Sequence, residues 1–467
     1  MSRFSLLLLI ALLPSVAVGG LPPLISDSEI AAIEARLLAE IEGNRTRTCV
    51  RPVLRGRSAA GLADTDIVGV VEGNDGLREC YDFIQQFDDV LFGPPDAANE
   101  RQTGLMARFS KVCASLPPAI ERATAHDDAC SPYLPGRRPM PGLRGTQRIL
   151  RAARHLAALV VLSGRTGEAA DRFLDIVRFA QDLGRGGAPL VMTMLATSVI
   201  REILSNDLPQ LLARPELTDE DLARIRRGLG QLIETEPSLQ RSIVADITWL
   251  AYEAGLPLLR EPGWAPPGGY SVGNQTPPAD YEPALLPLVT PGQERRFILA
   301  AIMDLGLRYS EACPEGATLA ECYLGLRAMT EAVMVRRSIP GWLRILQTLI
   351  APSPWEAWRR HLTELVQEML SVSFETYVPG YTVRSFFLAA LRLQVAVLQE
   401  ARRTGRCPTA EDLATPAWHE RIREPSVGGA FMIRTGASGG IVVESAAPIW
   451  QAAEESPPVL PIKCVAK

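Results

Sequence analysis

Lysine is almost missing from this chain. Only Lys111, Lys463 and Lys467 occur, so nearly all of the 48 basic residues are arginine. That preference points to a GC-rich genome rather than to a function. No arginine run exceeds a pair, and no basic stripe is interleaved with aromatic residues, which make up only 6% of the chain. With a net charge of −5, the composition gives no electrostatic footprint for nucleic acid. Histidine is scarce too, at four residues. Acid–base chemistry would therefore fall to carboxylates, and no pair stands out among the 53 acidic residues. There is no P-loop, no G-x-G-x-x-G after a strand, no EF-hand loop and no clustered Cys/His pattern. No catalytic, cofactor-binding or metal-binding residue is assigned, and no cofactor is expected. Beyond the N-terminus no uncharged stretch reaches the ~18 residues of a membrane span, so none is expected in the mature chain.

What is present begins with a targeting segment. Arg3 supplies a positive start, Phe4–Leu13 an apolar run and Ala17-Val18-Gly19 small residues before a cut at Gly20. Residues 1–19 read as a cleaved signal peptide, which places the mature protein in the periplasm or outside the cell. Export makes the eight cysteines interpretable: Cys49, Cys80, Cys113, Cys130, Cys313, Cys322, Cys407 and Cys464. An even count in an oxidising compartment suggests disulfides, although eight cysteines allow 105 connectivities. Proximity invites Cys113–Cys130 and Cys313–Cys322 as local closures, with Cys49–Cys80 and Cys407–Cys464 as longer ones. Metal binding is the competing use, without a ligand spacing to support it.

The rest reads as helix. Over Arg144–Leu212 the apolar residues Ile149, Leu150, Ala153, Leu156, Ala157, Val160 and Val161 recur at helical spacing. A short turn between Gly164 and Gly167 leads to a second helix, whose apolar side carries Ala170, Phe173, Leu174, Val177 and Ala180. Glu168, Arg172, Asp175, Arg178 and Asp182 form its expected solvated face, with Glu168–Arg172 as an i,i+4 pair. A third segment, from Leu190, is apolar nearly all round and is expected to be the buried partner of the other two. Met192 and Met194 read as core filler. Thr218 followed by Asp221 announces another helix through an acidic capping box.

The predicted architecture is mainly α: an irregular array of antiparallel helical hairpins with a small C-terminal β-hairpin. After the signal peptide come an N-terminal helical subdomain (20–142), central hairpins (143–254), a Pro/Gly-rich insertion (255–293), a second helical region (294–404) and a C-terminal cap (405–467). The insertion is a surface segment or a lid. The hairpin signal is Phe431/Ile433 and Ile441/Val443 alternating about Gly436–Gly440.

Three weak chemical motifs deserve comparison with blander readings. Gly436–Gly440 spells G-x-S-x-G, the nucleophile elbow of serine hydrolases, but the strand-like IVVES that follows Ser438 makes it a turn. Glu356, His361, Glu364 and Glu368 share a predicted helix; H-x-x-E without a second histidine reads as a solvated face. His126, Asp127 and Asp128 sit beside Cys130 in what reads as a polar loop, and His155 and His419 have no suggestive neighbours.

Two local resemblances stand on these residues. LSGRTGEAADRFLDIVRFAQDL resembles one tetratricopeptide unit through Gly164, Ala169 and Phe173, without a second copy. The segment Leu391–Phe431 resembles the end of a pseudopilin helix and its loop, matching at Gly405, Pro408, Thr409, Leu413, Pro425 and Gly428. Cys407 stands where that pattern has an aromatic and Glu424 where it has aspartate. In overall layout the chain resembles uncharacterised exported helical proteins of GC-rich bacteria such as myxobacteria and planctomycetes, a resemblance that implies no activity. The expected function is an exported helical scaffold that binds an envelope or extracellular protein or peptide. The alternative is an exported hydrolase using carboxylates in an interhelical pocket.

Overall fold

A computed structural model gives the fold. It describes residues 28, 32, 35, 54, 59–63, 75–91, 100–129, 143–185, 190–240, 242–243, 308–309, 311–314, 316–337, 377–415, 418, 431–436 and 440–464. The expected signal peptide and the 255–293 insertion lie outside them. So do Cys49, Cys130, Ser438, His419 and the Glu356/His361/Glu364/Glu368 group. The chain divides into two compact units, Met1–Leu37 with Leu250–Leu305 and Val335–Ser371, and Leu38–Trp249 with Gly306–Met334 and Val372–Lys467. In the first, residues 28, 32 and 35 are helical and exposed. Every contact discussed below belongs to the second.

The second unit opens with β1 (Ala59–Ala63), α1 (Asp75–Leu91), α2 (Glu100–Val112), α3 (Leu116–Thr124) and β2 (His126–Ala129). β1 and β2 pair in parallel, so the segment His126–Ala129, which reads as a polar loop in the sequence, is strand. Pro117 and Pro118 occupy the first turn of α3, where a missing N–H costs nothing.

The central hairpin is α4 (Leu143–Leu162) and α5 (Thr166–Asp182). Gly164 adopts φ +79°. Its N–H bonds to the Val161 carbonyl at 3.0 Å, and that of Arg165 to Val160 at 3.3 Å. This Schellman arrangement satisfies the last carbonyls of α4 and needs a residue without a Cβ at the left-handed position. Gly167 lies inside α5 rather than in the turn, where an added Cβ would come within 2.5 Å of Asp221 Oδ1.

α6 (Leu190–Glu202) continues through a π-helical segment, Ile203–Asp207, into α7 (Leu208–Leu212). α8 (Asp219–Glu234) starts at the expected capping box, in which Thr218 and Asp221 satisfy each other's backbone N–H. α9 spans Leu319–Arg337 and α10 Tyr377–Thr404. Although α10 is long and apolar enough to cross a membrane, 89% of its most apolar stretch is buried in the protein. It begins at Tyr377, with Pro379 tolerated in its first turn.

The sequence pattern correctly places hairpins but misplaces the innermost helix. α5 is buried along Phe173–Asp182 on every side, including Asp175, Arg178 and Asp182 of the face expected to be solvated. The reason is that α5 is covered twice over. α8 runs parallel to it, with Asp171 bonded to Arg224, Gly228 against Leu174 and Gln181 Nε2 donating to the Leu232 carbonyl. α3 packs on another side, across the cavity described below. α10 lies antiparallel to α8: Arg402 pairs with Asp219, Arg226 with Gln399, and Arg384 with Glu236.

The C-terminal part holds α11 (Ala410–Leu413), β3 (Met432–Thr435), β4 (Ile441–Glu444), α12 (Ile449–Ala452) and β5 (Val459–Ile462). The expected hairpin is β3–β4, in the register Ile433↔Val443. The proline-rich tail adds a third strand to the expected hairpin, with Val443 opposite Leu460. Pro461 is accommodated because β5 is an edge strand. Phe431 meets Phe386 of α10 edge-on, with 5.6 Å between ring centroids, which joins sheet and helices in one apolar cluster.

Candidate functional site

Three described pairs of cysteines are disulfide-bonded: Cys80–Cys113, Cys313–Cys322 and Cys407–Cys464. The second and third match the expected closures. The first replaces both Cys113–Cys130 and Cys49–Cys80. α1 and α2 pack against each other and bring Cys80 and Cys113 to a Cα separation of 4.7 Å, so spatial pairing of helices overrides nearness in sequence. Cys313–Cys322 pins the chain just before α9 to its first turn, whose Thr318 and Glu321 form a second capping box. Such bridges are compatible with an oxidising, exported location.

The other candidates are dispersed. Gly436 and Gly440 close the turn between the antiparallel strands β3 and β4, with the Gly436 N–H on the Gly440 carbonyl at 2.7 Å. The required strand-to-helix geometry of a nucleophile elbow is not built there. His126 opens β2 and is half-buried. His155 lies on α4, where burial first and then Arg154 hold its pKa below the usual imidazole value, against the pull of Asp207. Among the described residues, no group of three His, Cys, Asp or Glu is arranged to hold a metal ion.

Two polar constellations were unreadable in the sequence because their members come from distant segments. The first is largely internal. Arg384 Nε donates to Glu236 Oε1 at 2.7 Å and Ser385 Oγ to Glu236 Oε2 at 2.6 Å, while Tyr381 donates its hydroxyl proton to the Pro237 carbonyl at 2.5 Å. Close by in sequence, Arg178 donates to Thr235 Oγ1 at 2.6 Å, and Arg185 bonds both Asp182 and the Thr235 carbonyl. Burial lowers the Arg384 pKa, but Glu236 and Tyr381 together outweigh it and hold the guanidinium above its ordinary value. Burial, reinforced by Glu236, pushes the Tyr381 phenol far above its ordinary range. Both groups thus keep one protonation state, which suits a fixed brace better than proton transfer. A related brace crosses α4 and the π-helical segment. There the i→i+5 bond from Leu208 N–H to the Ile203 carbonyl brings Glu202 and Asp207 onto one side, and both carboxylates bind Arg154.

The second constellation faces solvent. α3, α4 and α5 enclose a cavity of about 200 Å³. Ile120, Ala153 and Ile176 give it apolar walls, and Pro117 and Pro118 flank it. Glu121, Glu168, Arg172 and Asp175 add charge. On α5 the lining positions 168, 172, 175 and 176 follow helical spacing, so they share one face. Glu168 accepts from Arg172 at 2.7 Å and from Arg165 at 2.9 Å. Asp175 is only 4% exposed. The small side chain of Ala153 keeps space open where a larger residue would fill it. At sequence level Ala153 reads as one more core position, and the charges read as a solvated face.

No family model matches the chain, and neither a curated protein nor a solved structure matches it.

Proposed function

We propose that this chain is exported, loses residues 1–19 as a signal peptide, and serves as a braced helical scaffold that binds an envelope or extracellular protein or peptide. The observation that carries this reading is the cavity between α3, α4 and α5. Its ~200 Å³ is below the ~300–1,000 Å³ of pockets that enclose a small-molecule substrate, yet it has the apolar wall and charged margin of a protein-docking pocket. The disulfides and internal ion pairs support a surface already in its binding shape, which lowers the ordering cost of association. The test is capture from envelope extract by the oxidised protein, followed by light scattering of the purified pair. A complex of fixed stoichiometry is expected; recovery of the scaffold alone would refute the reading.

The hydrolase alternative is favoured by one observation, the presence of Glu121, Glu168 and Asp175 around a single cavity. Against it, Glu168 already accepts two guanidinium hydrogen bonds. Turnover of peptide, ester or glycoside substrates that is abolished by Asp175→Asn would establish the alternative; an inert wild-type protein across these three classes would remove it.

A further inference from the structure

We infer that the Cys407–Cys464 bridge is a reversible reduction site, a latch that a dithiol opens to release β5 from the C-terminal sheet. The inference goes beyond the binding reading above and does not depend on it. Access separates this bridge from the other two that the structure describes. Cys80 and Cys113 are 2% and 0% exposed, and Cys313 and Cys322 4% and 1%. Cys407 and Cys464 are both half-buried. Thiol–disulfide exchange requires an attacking thiolate to reach a sulfur, so it meets Cys407–Cys464 first.

Charge favours the same bridge. Glu79 precedes Cys80 and Glu321 precedes Cys322, and each carboxylate repels an incoming thiolate. Arg406 instead precedes Cys407, and Lys463 precedes Cys464. Arg406 shares its charge with Asp412 at 2.9 Å, so the exposed Lys463 is the cation that supports a departing thiolate. One thiolate of the dithiol attacks Cys407 Sγ, the bond to Cys464 breaks, and Cys464 leaves as a thiolate and takes up a proton. The second thiolate resolves the mixed disulfide and frees Cys407, which is protonated in turn. Two electrons and two protons pass to the bridge, and the dithiol ends as a disulfide. A thiol–disulfide oxidoreductase is the class of reductant that supplies it.

Little else holds β5. It is a four-residue edge strand whose buried side chains are Leu460 and Ile462. The Ser445 N–H bonds the Pro458 carbonyl at 3.1 Å, so in this register Leu460 and Ile462 turn their backbone groups toward Val443 and Ile441. Pro461 then faces the outer edge and offers no N–H to a further strand. Opening the bridge returns chain entropy to the released segment and raises the population in which β5 lifts away. In that state β4 presents the backbone of Ile441 and Val443.

The test treats the full, oxidised protein with graded dithiothreitol, traps thiols with iodoacetamide and maps them by mass spectrometry. Cys407 and Cys464 should be labelled roughly tenfold faster than Cys80, Cys113, Cys313 and Cys322. In protein reduced only there, the Leu460 and Ile462 amides should exchange with deuterium roughly tenfold faster than in the oxidised protein, while those of α8 keep their rates. Cys407→Ser with Cys464→Ser should show the fast β5 exchange without reductant. Lys463→Glu should slow the opening of the bridge roughly threefold. Equal labelling of all three bridges would overturn the inference. So would unchanged β5 exchange in the selectively reduced protein or in the double variant. An unchanged opening rate in Lys463→Glu would contradict Cys464 as the leaving thiolate.

Discussion

At the scale of single residues, the strongest commitments are buried charges. Arg384 is 1% exposed and its carboxylate partner Glu236 10%. Removing one member of such a pair leaves the other desolvated and uncompensated, at a cost of about 3–5 kcal/mol. Arg384→Met should therefore lower the urea midpoint sharply, whereas Arg384→Met with Glu236→Gln should recover much of the loss. If the double variant is no more stable than the single one, the pair is not a coupled brace. Gly164→Ala is a smaller case: it forces a side chain into φ +79° and should destabilise by about 1 kcal/mol in the same assay.

His155 gives a pH dependence with a definite sign. Its folded pKa is depressed, chiefly by burial and then by Arg154, with Arg151 adding to this and Asp207 opposing. As pH falls through about 6.5, the unfolded chain takes up a proton that the folded one refuses. Stability is then lost until the folded pKa is passed. The thermal midpoint should fall between pH 7.5 and 5.5, and His155→Gln should flatten that part of the curve. An unchanged slope in the variant would assign the effect to other groups.

At the scale of elements, local signals were the legible ones. The Thr218/Asp221 cap, the turn at Gly164 and the β3–β4 alternation all act within a few residues, so the chain itself displays them. Partner choice was not legible. Asp175, Arg178 and Asp182 recur at the spacing of a solvated face, yet the packing of α3 and α8 onto α5 buries them. No periodicity within α5 reports what a segment fifty residues away will cover. The cavity was hidden for the same reason, since Ala153 declares its smallness only beside Ile120 and Ile176. Cys80–Cys113 likewise depends on the antiparallel approach of two helices.

The disulfides carry the prediction that belongs to this scale. Three bridges use six of the eight cysteines and leave Cys49 and Cys130 as the remaining pair. Oxidised, denatured protein should show no free thiol, and non-reducing peptide mapping should recover Cys49 joined to Cys130. Two reactive thiols per chain would contradict that fourth bridge. Replacing Cys407 and Cys464 by serine opens a closure of 57 residues, worth about 4 kcal/mol in the chain-entropy description. The loss should appear as a lower denaturant midpoint, and reduction of the wild type, which breaks the other bridges as well, should lower it further.

At the scale of the whole molecule, the second unit is a stack in which α5, α8 and α10 run side by side, held by ion pairs where helices meet and by bridges near the ends of elements. Charge placed inside such a stack fixes which helix faces which, because a shifted register would strand Arg384 or Arg185 without a partner. The cavity sits on this braced core rather than on a loop, so a bound side chain meets walls already in position. The most direct measurement is the affinity of the protein for the partner captured from the envelope, compared between wild type and Ala153→Leu, which fills the cavity. A fall of tenfold or more in affinity, with complex stoichiometry and unfolding midpoint preserved, is the predicted result. An Ala153→Leu protein that folds and binds as tightly as wild type would contradict the account.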